Sequence, residues 1–391
     1  MTMQNSLLNI LIINRIAKDL EEPGHKRHAV IKSLMQNKNI NVDIVCSDID
    51  YINNKKKSHT NQNLIRLKCL ISGENIFLRF FSHIEFSLRV LFFNATRYTH
   101  IIGTSPDLFN AFSAFLLAKK YKSKFVLEIR DIWPLSIKEL ISLPLYPGYS
   151  LLQLIESILY KNSKLIISTL ANFVDYLEHN NFGKLQDKVI HIPQLTLTPI
   201  AKHKKKLPIE NIKLIYSGSL RKNNHLIKII KFIDRLNKLG GIQFCLSIVG
   251  YGPEKKQLLS VLKNSDVEVK FFNPTKSGIK LRDLIAEHHL GIAYLKDSKI
   301  YSYGVSLNKA VDFHTALVPL IILNQGDNIQ NDKRRAIIFC KENEEEFSSL
   351  AEDILRNKEQ GKIKNEIQAY FNEKNSSTKY INQLIKQIRS C

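Results

Sequence analysis

The sequence predicts an α/β protein built from two Rossmann-like, doubly wound parallel sheets. Apolar runs of strand length alternate with amphipathic helical segments, as in successive βαβ units. The alternation begins at Leu7–Ile13, and it begins afresh at Ile212–Gly218 after a polar, lysine-rich interruption. The 391 residues, 44% of them hydrophobic, are sufficient for two domains with sizeable cores.

We expect a first domain over 1–198, a linker over 199–208, a second domain over 209–373 and a last helix over 374–391. The strands are expected at Leu7–Ile13, Val42–Cys46, Lys164–Thr169, Val189–Pro193, Ile212–Gly218, Val267–Phe272, Leu290–Leu295 and Leu320–Ile322, and from His100, Phe125 and Cys245 onward. The helices are expected at Arg27–Gln36, Asn75–Phe93, Leu108–Lys120, Ser150–Lys161, Ala171–His179, Leu226–Leu239, Leu281–His288, Glu342–Leu355 and Lys374–Arg389.

The composition limits the partners and the compartment. A net charge of +21 indicates anionic partners, namely nucleic acid, nucleotide substrates or an anionic membrane face. Because the lysines are scattered and no nucleic-acid motif is present, we expect no nucleic-acid partner. Five widely spaced cysteines without a Cys-x-x-Cys pair indicate reduced thiols in the cytoplasm. We expect neither a secretory signal nor a membrane-spanning helix, since the N-terminus is polar and every window of spanning length contains charge.

A glycine loop leads into a helix in the segment 301–322. Gly304 precedes a helical turn that contains Asn308, Lys309 and Asp312. A loop that enters a helix offers free backbone N–H groups at the positive end of the helix dipole, and Lys309 adds a charge there. This arrangement suits a diphosphate, while Asp312 can accept hydrogen bonds from sugar or ribose hydroxyls. Ordinary helix capping is the alternative interpretation.

A second polar segment, 128–134, reads Glu-x-Arg-Asp-x-Trp-Pro directly after a predicted strand. Asp131 lies just past the carboxyl end of that strand, where ligands of doubly wound sheets gather. Trp133, the only tryptophan, is a plausible stacking platform for a sugar ring. The alternatives are a helix cap for Asp131 and a core position for Trp133.

These segments, together with a strand that turns into Gly-x-Gly-Pro at 250–253, resemble the retaining family 4 glycosyltransferases with two Rossmann domains. The resemblance covers nearly the whole chain and is closest to the branch that builds bacterial surface polysaccharides such as O-antigen and capsule. It implies a GT-B-type architecture, with two domains facing across a cleft and the last helix returning to the first domain. It also implies transfer of a sugar from a UDP-linked donor to a lipid-linked or saccharide acceptor with retention.

The resemblance further implies roles for individual residues. The leaving diphosphate would be held by Arg221 or Lys222 together with Lys309, while Asp131 would orient the acceptor hydroxyl. The residues expected to bind the nucleotide sugar are Gly218, Gly250, Gly252, Gly304, Asn308 and Asp312. The residues expected on the acceptor side are Gly24, Arg27, His28, Glu128 and Trp133. No metal and no cofactor are expected, since basic residues can replace the cation. For Arg221 and Lys222 the alternative is two ordinary loop residues, and for Arg27 and His28 exposed first-turn residues.

The sequence also departs from the family pattern. Gly304 falls where the family has the first glutamate of its Glu-x7-Glu pair, and Asp312 falls at the second. The turns at Pro193-Gln194 and at Leu317 lack the usual glycines. Two rival functions therefore stay open: an inactive scaffold that binds a partner or polyanion, and a nucleotide-sugar epimerase on the same fold.

The predicted helix at Asn75–Phe93 is amphipathic, basic and rich in aromatic residues. Such a helix either faces a core or lies in a membrane interface. The family resemblance implies that members with lipid-linked acceptors dock on the inner membrane face through surfaces of this kind. A peripheral location there is one of the two interpretations.

Overall fold

The computed structural model describes residues 8–22, 24, 26–50, 56–57, 63–73, 76–140, 148–196, 211–275, 277–324, 337–356 and 376–391. The expected linker at 199–208 and the expected boundary at 373–374 lie outside these residues. Within them the chain forms one seven-stranded and one six-stranded sheet. All strand pairs inside these two sheets are parallel.

The first sheet has the strand order β3-β2-β1-β4-β5-β6-β7. Its strands are β1 Asn9–Ile13, β2 Asn41–Ser47, β3 Ile65–Leu67, β4 His100–Thr104, β5 Lys124–Ile129, β6 Leu165–Ser168 and β7 Val189–His191. Its helices are α1 Arg27–Gln36, α2 Ile76–Leu91, α3 Leu108–Lys120, α4 Leu135–Leu140, α5 Gly148–Asn162 and α6 Phe173–His179, followed by a 3-10 helix at Gly183–Lys188.

The second sheet repeats this order as β10-β9-β8-β11-β12-β13. Its strands are β8 Asn211–Ser217, β9 Gln243–Val249, β10 Val269–Phe272, β11 Leu290–Leu295, β12 Leu320–Asn324 and β13 Ile337–Lys341. The helices are α7 Leu226–Lys238, α8 Lys255–Leu262, α9 Gly278–Ile285, α10 Asn308–Thr315, α11 Glu344–Arg356 and α12 Ser376–Ser390, with 3-10 helices at Lys222–Asn224 and Lys299–Tyr303.

Each sheet is buried on both faces, which explains the continuous apolar runs of its strands. In β1, Leu11 and Ile13 join the core under α2, α3 and α5, whereas Ile10 and Ile12 join the opposite core. Helix α12 completes that opposite core with apolar residues such as Leu384. The last helix therefore packs against the first sheet, far from its neighbours in sequence.

The strand order reverses beside β1 in one sheet and beside β8 in the other. Such reversals create a crevice outside the carboxyl ends of the strands, and ligands of doubly wound sheets bind there. The segment after β11 reaches the first domain, where the side-chain amide of Asn172 donates to the Ser302 carbonyl at 2.9 Å. The two domains therefore face each other across a cleft, and the predicted α/β architecture is confirmed.

Candidate active site

A cavity of about 330 Å³ lies at the switch point of the second sheet. Glycines make its floor, because the loops after β8 and β9 touch through their backbones. A Cβ atom on Gly250 would lie 1.9 Å from the Gly218 carbonyl oxygen, and one on Gly252 would lie 2.2 Å from the Leu220 oxygen. Gly218 has a φ of +153°, which side chains rarely adopt. The contact between the loops therefore requires Gly250 and Gly252, and the backbone conformation of Gly218 favours glycine there.

The walls of this smaller cavity combine apolar side chains with a few polar groups. They include Val249, Pro274, Thr275, Leu281, Ser306, Leu307, Asn308, Lys309 and Asp312, with Gly24 from the first domain. Lys309 is half-buried, with its ammonium 4.5 Å from the centre of the Tyr216 ring. Among the described residues it has no carboxylate partner. Burial lowers the pKa of Lys309 to about 8.

Asp312 connects the smaller cavity to the first domain. Its Oδ1 accepts a hydrogen bond at 2.8 Å from the ammonium of Lys26, and both side chains are buried. Burial raises the pKa of Asp312, and the charge of Lys26 opposes that rise. Sequence patterns did not indicate Lys26, because the pair joins positions 286 residues apart.

A larger cavity of about 610 Å³ lies between the domains. Its lining includes Pro106, Arg130, Asp131, Glu139, Gln194, Asn223, His225, Lys296, Tyr301, Gly304 and Asn308. Asp131 accepts a hydrogen bond at 2.9 Å from the backbone N–H of Ile132. Burial raises the pKa of Asp131, and hydrogen bonds from Ser136 and the Ile132 backbone and the charge of Arg130 oppose that rise. Asp131 thus lines the cavity between the domains and also binds the adjacent backbone, and its role stays a prediction.

The two cavities meet at Ser306, Leu307 and Asn308, which line both of them. We call this segment the junction. Helix α10 begins at Asn308, and no side-chain hydrogen bond caps its N-terminus within the described chain. Arg130 donates through Nη2 to the side-chain oxygen of Asn308 at 3.0 Å, and Gln194 donates to the Ser306 hydroxyl at 3.0 Å. First-domain residues that sequence reasoning did not select therefore contact the junction.

Gly304 brings the glycine loop onto the first domain. Its φ is +117°, and a Cβ atom there would lie 2.7 Å from the backbone nitrogen of Ala171. A glutamate at this position would collide with that backbone. The departure from the Glu-x7-Glu pattern therefore accompanies a close contact between the domains.

Arg27, His28 and Glu128 form a buried network behind the first sheet's carboxyl edge. Arg27 donates to Glu128 at 2.8 Å and to the Ile192 carbonyl at 3.0 Å, and it also contacts the Pro193 carbonyl. His28 lies 2.6 Å from the other oxygen of Glu128. Burial favours the neutral carboxyl, but the charges of His28 and Arg27 hold the pKa of Glu128 well below its usual range. Burial lowers the pKa of His28.

These side chains are not the exposed first-turn residues of the alternative interpretation, and the acceptor-side role that the resemblance implies stays a prediction. The side chains are at most 2% exposed, and their polar atoms already have protein partners.

The remaining predicted residues lie at the margin of the site or outside it. Arg221 precedes the 3-10 helix at Lys222–Asn224, and neither Arg221 nor Lys222 lines either cavity. Asn223 and His225 of the same loop line the larger cavity instead. Trp133 packs against the first-domain core, with its ring 6.2 Å from that of His83, and lines neither cavity. Its core interpretation fits this structure.

The fold is that of GT-B glycosyltransferases. The chain aligns with HepE of Anabaena in complex with UDP-glucose at a TM-score of 0.65 and 11% identity, over 98% of this chain and 100% of that one. It aligns with WaaG, a glycosyltransferase involved in lipopolysaccharide biosynthesis, at a TM-score of 0.62 and 10% identity, over 97% and 99% of the two chains. It aligns with WaaB, a lipopolysaccharide outer core galactosyltransferase, at a TM-score of 0.56 and 12% identity, over 98% of this chain and 99% of that one. No protein-family model and no curated protein matches the sequence.

Proposed function

We propose that this protein transfers a sugar from a nucleotide-sugar donor, UDP-linked, to a hydroxyl group of a saccharide or lipid-linked acceptor. The observation behind this proposal is the pair of cavities that share the junction at the N-terminus of α10. One cavity lies at a Rossmann switch point, where nucleotides bind, and the other lies between the domains. A donor that spans the junction would place its two halves in separate compartments.

The diphosphate would lie at the junction. Backbone N–H groups at the uncapped start of α10 point toward it, and the helix dipole favours negative charge there. Lys309 would contribute a full positive charge from the wall of the smaller cavity. The nucleoside would then occupy the smaller cavity beside Asp312, and the sugar would occupy the larger one beside Asp131.

We propose front-face transfer with retention and without a metal ion. The bond between the anomeric carbon and the diphosphate oxygen breaks, and its electron pair stays on that oxygen. The acceptor hydroxyl oxygen forms the new bond to the same face of the anomeric carbon, and its proton passes to the leaving diphosphate. Asp131 would orient the acceptor hydroxyl, and Lys309 would stabilise the departing charge.

We further propose surface-polysaccharide synthesis at a membrane, because the first domain has an exposed apolar face. The face comprises exposed side chains of three neighbouring helices: Phe77, Phe81 and Leu88 of α2, Leu116 of α3, and Leu151 and Leu154 of α5. Exposed lysines at the end of α3, Lys119 and Lys120, suit an anionic bilayer. No described helix has the length and apolarity needed to span a bilayer.

Vesicle sedimentation tests the membrane proposal. The protein should pellet with vesicles that contain phosphatidylglycerol and much less with pure phosphatidylcholine. The double variant Phe77→Ser/Phe81→Ser should lose this binding, whereas Leu259→Ser should retain it, because Leu259 is an exposed leucine of α8 in the second domain. Equal vesicle binding by Phe77→Ser/Phe81→Ser and Leu259→Ser would show that the apolar face does not bind the membrane.

A thermal-shift screen tests donor binding. We would heat the protein with UDP, GDP, ADP, CMP and their common sugars, because a ligand that binds only the folded state raises the melting temperature. UDP and UDP-sugars should raise the melting temperature. A rise with nucleotides of another base instead would identify that base as the one in the donor. A cooperative transition that none of them moves would favour the inactive scaffold.

A further inference from the structure

We infer that Arg130 is the second cation of the diphosphate site, acting on the phosphate that bears the sugar. This inference rests on the proposed glycosyl transfer. Arg130 lines the larger cavity, and its Nη2 lies 3.0 Å from the side-chain oxygen of Asn308. Asn308 is the first residue of α10 and lines both cavities. The guanidinium is therefore held at the point where the N-terminus of α10 meets the sugar side of the junction.

The distribution of charge also indicates a second cation there. A diphosphate carries two negative charges, and a further charge develops on the leaving oxygen as the glycosidic bond breaks. Among the described residues that line the smaller cavity, Lys309 is the one cationic side chain. In the larger cavity Lys296 is exposed, whereas Arg130 is 8% exposed and contacts the junction directly. Charge–charge stabilisation is strongest where water is excluded, which favours Arg130.

Arg130 also supplies the positive charge that the loop after β8 does not place in either cavity. Arg221 and Lys222 were the sequence's candidates for this position, but their side chains line neither cavity. Arg130 comes from the opposite domain, directly after β5, and its backbone N–H donates to the Ser105 hydroxyl at 2.9 Å. A diphosphate that contacts both Lys309 and Arg130 would bind to the two domains at once.

The role assigned to Arg130 is electrostatic. Its guanidinium would donate hydrogen bonds to the oxygens of the sugar-bearing phosphate in the ground state and more strongly as that phosphate departs. Arg130 transfers no proton, since a guanidinium stays protonated in proteins. The acceptor's proton passes to the leaving diphosphate, as in the mechanism above.

A comparison of UDP with UMP tests this role, because only UDP has the second phosphate. Titration calorimetry would measure both ligands with wild type, Arg130→Met, Arg221→Met and Lys222→Met. Arg130→Met should weaken UDP binding by about 10-fold to 100-fold, the range of a lost charge-assisted hydrogen bond, and leave UMP binding within about twofold. The variants of Arg221 and Lys222 should lower UDP affinity by less than about threefold.

Each outcome decides a different question. Equal weakening of UDP and UMP by Arg130→Met would show a structural effect and overturn the inference, and so would a larger UDP-specific loss in Arg221→Met. Arg130→Lys keeps the charge and should recover part of the UDP affinity. The melting temperature of each Arg130 variant without ligand reports whether its fold is intact. If wild type binds neither nucleotide, nor the pair of any other base in the screen, the proposed function falls and the inference falls with it.

Discussion

The two sheets have the same strand order, yet the crevices at their carboxyl ends have different contents. In the first domain the residues around the crevice are large and charged: Arg27 bonds Glu128 at 2.8 Å, and the Asn14 side chain bonds His28 at 2.9 Å. In the second domain the corresponding loops meet at Gly218 and Gly250, and an open cavity of about 330 Å³ remains.

The difference shows that the same topology offers a binding crevice twice and that side-chain size and charge decide how much of each crevice stays open. Part of the first crevice is occupied by a buried network whose polar atoms have protein partners, and the rest opens into the larger cavity beside Asp131. The second is floored by backbone and has a lysine, Lys309, without a carboxylate partner among the described residues. The predictions below separate these two roles.

The largest effect on UDP binding is expected for Gly250→Val, which fills the open crevice. Its Cβ atom would lie 1.9 Å from the Gly218 carbonyl oxygen, so the loops after β8 and β9 must separate. We expect UDP binding to fall below detection and the free energy of unfolding to drop by about 1–3 kcal/mol, as for overpacking elsewhere. Gly148→Ala is the control, because a Cβ atom there meets nothing within 4 Å. Normal UDP titration by Gly250→Val would show that the crevice is not the donor site.

Glu128→Ala should affect stability and leave the second crevice intact. Removing this carboxylate leaves Arg27 charged and buried without its partner, which typically costs about 3–5 kcal/mol. Because the pKa of Glu128 is depressed in the fold, its contribution is complete above an unfolded pKa of about 4.3 and is lost as pH falls through the folded pKa.

Urea unfolding at several pH values would measure both parts of this prediction. The gap between wild type and Glu128→Ala should be largest near neutral pH and should narrow in acid. The folded variant should bind UDP like wild type. A variant of unchanged stability that loses acceptor transfer would instead support the direct acceptor role predicted from sequence.

Lys309 should make UDP binding sensitive to alkaline pH. Burial lowers the pKa of Lys309 to about 8, so the free protein loses this charge as pH rises through that value. The dissociation constant of UDP should therefore rise up to about 10-fold per pH unit above it. Lys309→Arg should remove this alkaline rise, because guanidinium stays charged. A wild-type constant that is flat to high pH would exclude Lys309 from the diphosphate site.

The smallest effect is expected for Lys26→Met, which breaks the contact between the two regions. Without Lys26 the pKa of the buried Asp312 should rise further, which weakens Asp312 as a charged hydrogen-bond acceptor. We expect UDP affinity to fall about fivefold, equivalent to one net hydrogen bond of about 1 kcal/mol. Lys280→Met, on the exposed side of α9, is the matched control. Equal UDP affinities of Lys26→Met and Lys280→Met would show that the ion pair between Lys26 and Asp312 contributes to packing between the domains and not to UDP binding.

Local patterns predicted most of the elements. Helices α1 and α3 and strand β11 have the predicted limits, because the periodicity of apolar residues is a local property. The prediction of a helix at Leu281–His288 was displaced: α9 begins at Gly278 and ends at Ile285. The Ser277 hydroxyl accepts a hydrogen bond from the Lys280 backbone at 3.4 Å and sets the earlier start.

The candidate site was predictable only in part. Lys309, Asp312, Gly218 and Gly250 lie around one cavity as the motifs suggested, whereas Gly304 lines the other, and their roles stay predictions. The partners contributed by the first domain were not predictable, because Arg130 meets Asn308 across 178 residues of sequence. Short-range spacing contains no information about such pairs, which form only when the domains meet.

Hydrogen exchange with and without UDP tests the central claim most directly, because it reports which crevice the nucleotide enters. We predict that saturating UDP slows amide exchange at 217–220, 249–252 and 306–310, the loops around the smaller cavity and the start of α10. Residues 28–31 and 190–192, around the buried network of the first domain, should be unchanged. Slowing at that network without slowing at the loops of the second sheet, or no slowing in either region at saturation, would contradict the assignment of the donor to the second sheet.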